Sequence, residues 1–75
     1  MKYRFVVEED GSSSVLGGKE FDSELHADNF IAGFIETLQA CKYEVVQVGG
    51  DQNSWSFSKK DVQFTVTREC FEDVQ

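Results

Sequence analysis

Proline is absent from the 75 residues, histidine and tryptophan occur once each, and cysteine occurs twice. Without proline, no ring-fixed turn or helix break punctuates the chain, so boundaries must be read from glycine, Asx residues and hydrophobic periodicity. With His26 the only imidazole, acid–base or metal chemistry has to pass through it or rely on carboxylates alone. Cys41 and Cys70 stand singly, with no second Cys or His at the spacing of a zinc site or redox pair. No apolar run approaches the roughly 20 residues of a membrane span. The opening residues also lack the apolar stretch of a secretory signal, so a cytoplasmic location with reduced thiols is expected. Basic residues are scarce: seven Lys plus Arg stand against fourteen Asp plus Glu, for a net charge of -7. Such a surplus repels phosphate backbones and anionic membranes, which disfavours direct nucleic-acid or membrane binding.

What the chain does have is aromatic bulk: seven Phe, two Tyr and one Trp, each able to bury roughly 150–250 Å². That suffices for one core in one domain spanning 1–75. Residues 2–9 alternate as a first strand, with Tyr3, Phe5 and Val7 on one face and Arg4, Val6 and Glu8 on the other. Asp10 and Gly11 supply a hairpin turn. Residues 13–21 are expected to return as a second strand, interrupted at Gly17 and Gly18.

In 23–41, Ala27, Phe30, Ile31, Phe34, Ile35, Leu38 and Cys41 fall in one broad stripe, the mark of an amphipathic helix capped by Asp22 or Ser23. Cys41 is accordingly expected as a packed core thiol. Strands follow at 43–48, 54–58 and 62–67, separated by turns at 49–53 and 59–61. Trp55, Phe57, Val62, Phe64 and Val66 should face the helix, leaving Ser54, Ser56, Ser58, Gln63, Thr65 and Thr67 on a hydroxyl-rich surface. The expectation is an α+β fold, a two-layer sandwich with one amphipathic helix on a 4–5 stranded antiparallel sheet, ordered ββαβββ or βαβββ.

Neither glycine pair leads directly into a helix as a phosphate loop requires. Asp22, Glu24 and Asp28 lack the ligand alternation of a calcium loop and read as acids suited to a helix start. Trp55 and Phe57 beside Lys59 and Lys60 have the composition of a base-stacking platform, although the strand phase turns those rings toward the helix. Gly33 sits inside the helix, where it marks either a close approach or simple tolerance.

The opening Met1, Lys2, Tyr3, Arg4, Phe5, Val6, Val7, Glu8, Glu9, Asp10 and Gly11 resembles the first strand and turn of HicB-like antitoxins over eleven of the 75 residues. The family's Gly-Asp lead into its helix is replaced by Gly17, Gly18, Lys19, Glu20, Phe21 and Asp22, and no residue role carries over. In size, acidity and lack of catalytic groups the chain is similar to small accessory proteins of bacteriophages and mobile elements, including inhibitors of host enzymes and defence systems.

These readings converge on a non-enzymatic protein-interaction module of phage-inhibitor type, without cofactor or metal. Its partner is expected to be a protein with a basic surface, met either through the acids Asp22, Glu24, Asp28, Glu36 and Glu44, which in a stronger form mimic nucleic-acid phosphates, or through the hydroxyl-rich sheet face. Asp28 and Glu36 are expected on the outward side of the helix. The alternative is a small regulatory nucleic-acid-binding or antitoxin-like domain that uses the Lys59/Lys60 hairpin, and a homodimer is compatible with either.

Overall fold

The computed structural model describes residues 1–50 and 53–72. Strand β1 (Lys2–Glu9) turns through Asp10 and Gly11 into the short β2 (Ser12–Val15). The chain then crosses to helix α1 (Glu24–Ala40) and returns through β3 (Glu44–Val48), β4 (Ser54–Lys59) and β5 (Val62–Phe71). All pairings are antiparallel in one five-stranded sheet of order β2-β1-β5-β4-β3. The expected α+β architecture with a single helix on the sheet is therefore found, in the ββαβββ order.

The second strand is shorter than its expected 13–21. Leu16–Gly18 form a 3-10 turn in which Gly17 and Gly18 both take positive φ, 65° and 63°. Two consecutive left-handed residues turn the chain off the sheet. Its backbone rejoins the sheet where Phe21 and Tyr3 exchange hydrogen bonds of 2.8 Å. Beyond Val48, the expected 49–53 turn lies partly outside the described residues.

The helix starts where the sequence places it. Ser23 is extended, and its hydroxyl accepts from the His26 amide at 3.4 Å, so Ser23 rather than Asp22 is the cap. At the other end the expectation for Cys41 fails: the thiol is exposed. The reason is backbone geometry. Tyr43 N–H donates to the Leu38 carbonyl and Lys42 N–H to the Gln39 carbonyl, with Lys42 at φ 73°. This pair of bonds is a Schellman closure, which ends the helix at Ala40 and leaves Cys41 as its exposed C-cap, beyond the last helical turn that packs on the sheet.

Phe5, Ala27, Ile31, Phe57 and Val66 form the buried centre. Rings gather in two groups along it. Phe21 lies 5.0 Å from Phe30, which in turn lies 5.6 Å from Phe5. In the second group Phe57 stacks on Phe64 at 5.1 Å and meets Phe34 edge-on at 5.4 Å. Offset and edge contacts of this kind add to the area term of each ring, and through Phe30 and Phe34 they pin the middle of the helix to the sheet.

Candidate interaction surface

The register decides which side chains share each face. Across β4 and β5, Trp55 opposes Val66 and Phe57 opposes Phe64, all on the helix side. The opposite parity places Ser54 against Thr67, Ser56 against Thr65 and Ser58 against Gln63 on the side away from the helix. Extending those rows through the other pairings gives Ser13, Glu8, Thr65, Ser56 and Val46 across all five strands, and beside it Val15, Val6, Thr67, Ser54 and Val48. Each row spans about 19 Å at the usual strand spacing.

This uncovered face therefore combines a central hydroxyl field with flanking valines. Ser54 and Thr67 hydroxyls lie 3.3 Å apart and hydrogen-bond across the strands. Val46 at the β3 edge is 57% exposed and Val15 at the β2 edge is 36% exposed. At one margin Arg4 donates to Glu69 at 2.9 Å and lies over the Phe71 ring at 4.7 Å. Next to that pair an open hollow of about 280 Å³ is lined by Arg4, Val6, Ser13, Ser14, Val15 and Glu69.

The five acids expected to form one binding surface are distributed over four places. Asp22 lies 3.8 Å from Lys2. Glu24 and Asp28 both approach Arg68, the first at 3.9 Å and the second as its closest ion pair. Asp28 is exposed as expected, but on the flank of the helix beside Arg68 rather than on its outer surface. Helix positions 24, 28 and 35 flank the buried stripe of Ala27 and Ile31 on one side, and Arg68, on the helix face of β5, reaches up to that flank. The Arg68 guanidinium also donates to the Asn53 side chain at 2.7 and 3.1 Å, which fixes its orientation. Glu36 stands exposed on the outer helix surface, and Glu44 lies across the sheet, opposite Ser58. Tyr3 lies beside the Arg68 cluster. Desolvation, then the neighbouring Cys70 and Glu24, raises its phenol above the ordinary value.

Sequence reasoning missed the position of Arg68, and the signal was available. The alternation that turns Phe64 and Val66 toward the helix turns residue 68 there too, once the strand is carried past its expected end at 67 to Phe71. The opposite end of the molecule holds another group that was only half seen. Lys42, Glu44, Ser58, Lys59 and Lys60 line an open hollow of about 440 Å³ between the helix C-terminus and the β4–β5 turn. Lys59 lies over the Tyr43 ring at 5.4 Å. Trp55 and Phe57 face the helix, so the proposed stacking platform does not exist at this hairpin.

Among the described residues, no group of three or more His, Cys, Asp or Glu side chains is placed to hold a metal ion, and no helix is long and apolar enough to cross a membrane. Comparison with protein-family models, curated proteins and solved structures finds no match to this chain.

Proposed function

We propose that this protein is a non-enzymatic interaction module that binds a protein with a basic surface through the uncovered face of its sheet. The observation that supports it is the one-sided packing: a single helix covers one face of five strands, and the other presents hydroxyls between exposed valines. The backbone there is held by cross-strand pairing, so binding orders little more than small side chains. Serine and threonine lose little rotamer freedom and rotate their hydroxyls to donate or accept as a partner requires. Val46 and Val15 supply apolar contact at the rim, and a wet interface of about one hydrogen bond per 100–200 Å² suits the rest.

The net charge of -7 is the argument for a basic partner, since complementary fields speed encounter. Asp22, Glu24 and Asp28 contribute to that field at a distance, because their nearest partners are Lys2 and Arg68 within the same chain. Inhibition of a host enzyme or defence system, by covering a basic site, is one role that such a module fills. Regulation of nucleic acid through Lys59 and Lys60 is less well supported, since the aromatic rings needed for stacking face inward.

The test places a photo-crosslinking residue at position 56 and a second at position 36, on opposite layers. Crosslinking of one protein through position 56, competed by unlabelled parent and lost in a Ser56→Arg, Thr65→Arg variant that melts normally, supports the sheet face. Capture through position 36 alone transfers the docking surface to the helix. Capture through neither position removes the proposal.

A further inference from the structure

We infer that the hollow between Lys42 and Lys60 is a binding site for a small phosphomonoester, independent of the sheet face. The first ground is how the cations are partitioned. Lys2, Arg4 and Arg68 each pair with carboxylates of this chain, while Lys19 and Lys59 lie over the Phe30 and Tyr43 rings, contacts that leave their charge without a carboxylate partner. Lys42, Lys59 and Lys60 converge on one hollow, and none has a carboxylate within ion-pair distance among the described residues. In a chain with twice as many acids as bases, three like charges gathered with Glu44 as the one carboxylate among the lining residues repel one another, and a dianion between them relieves that repulsion.

The second ground is backbone conformation. Lys42 and Lys60 both hold positive φ, 73° and 52°, a region in which glycine or asparagine costs less than lysine. Both turns therefore keep a cation where a neutral residue would favour folding, and such retained strain gathers at functional positions.

The rest of the lining defines the ligand. At about 440 Å³ the hollow has the size of a small-molecule site. Ser58 offers a hydroxyl to a phosphate oxygen. Glu44, alone among the five lining residues in its negative charge, is suited to accept from a hydroxyl or amino group beside the phosphate. The carbonyls of Thr37, Leu38 and Gln39 at the helix end accept from Cys41, Tyr43 and Lys42, which lessens the negative potential that the helix C-terminus presents to an anion. Without an accessible aromatic platform, a compact ligand fits this chemistry better than a stacked strand.

Backbone amide shifts of the intact protein test the inference, titrated separately with inorganic phosphate, a nucleoside 5′-monophosphate, a short oligonucleotide, and sodium chloride at matched ionic strength. The monophosphate should shift 42, 44 and 58–60 saturably, and more tightly than inorganic phosphate. Lys42→Asn together with Lys60→Asn should weaken that binding by roughly tenfold or more, as expected for loss of two charge-assisted contacts, while the protein melts no lower than the parent. Glu44→Gln should reduce the advantage of the monophosphate over phosphate. Equal shifts with sodium chloride, shifts spread over Lys2, Lys19 and Arg4, unchanged binding by the double variant, or binding of the oligonucleotide alone would each overturn it. None of these outcomes bears on crosslinking at position 56.

Discussion

Arg68 is the residue whose surroundings differ most from those its type suggests. It lies on the helix side of β5, with its guanidinium against Asn53, Asp28 and Glu24 and its side chain only 20% exposed. The stem contributes packing and the head is kept at the layer margin, where water still reaches the carboxylates. Because the Asp28 side chain remains about half exposed, the pair is screened and stabilises modestly. Reversing it is a different matter, since Asp28→Lys places one cation against another that Asn53 holds in position. We expect Asp28→Lys to cost about 1 kcal/mol of unfolding free energy in urea, against no more than about 0.5 kcal/mol for Glu36→Lys on the outer helix surface. Equal midpoints for the two variants would mean that the Arg68 contact contributes nothing to the fold.

Among the elements, α1 contains the one clear departure from its own propensity. Gly33 lies in the middle of the helix, where glycine disfavours the helical state, and a Cβ built there meets nothing within 4 Å. No neighbour among the described residues accounts for its being glycine. Gly33→Ala should therefore stabilise by about 0.5–1 kcal/mol, measured as a higher urea midpoint with an unchanged slope. A lower midpoint, dependent on protein concentration, would show that a second copy approaches the helix there.

The same helix shows how far periodicity reaches. Its apolar stripe and the Ser23 cap were legible because both are local, and the alternations of β1, β4 and β5 were legible for the same reason. Cys41 was misplaced because a helical wheel does not know where the helix stops, and here the stop depends on Lys42 adopting a conformation that lysine seldom takes. The scattering of the five acids was illegible for a related reason. Which carboxylates meet Lys2 and Arg68 is set by how the helix crosses the sheet, a tertiary fact with no signature in spacing.

For the molecule as a whole, the net charge and the separation of its two faces make a distance-dependent prediction about association. The described chain measures 43 × 26 × 25 Å, and Glu36 and Glu8 lie on opposite layers, one on the helix and one in the hydroxyl row of the sheet. At about 10 mM salt the screening length is about 30 Å, longer than the thickness of the protein, so a partner feels the total charge whichever side carries it. At about 150 mM it shrinks to about 8 Å, less than the distance between the layers, and only charges near the docking surface still act. With a basic partner in hand, Glu36→Lys and Glu8→Lys should therefore slow association by similar factors at low salt. At physiological salt Glu8→Lys should remain slow, while Glu36→Lys recovers toward the parent rate. Stopped-flow association at the two salt concentrations reads this directly, with dissociation measured in parallel to separate steering from contact. The reverse order at physiological salt, with Glu36→Lys the slower variant, would place the partner on the helix and leave the hydroxyl rows as ordinary solvated sheet.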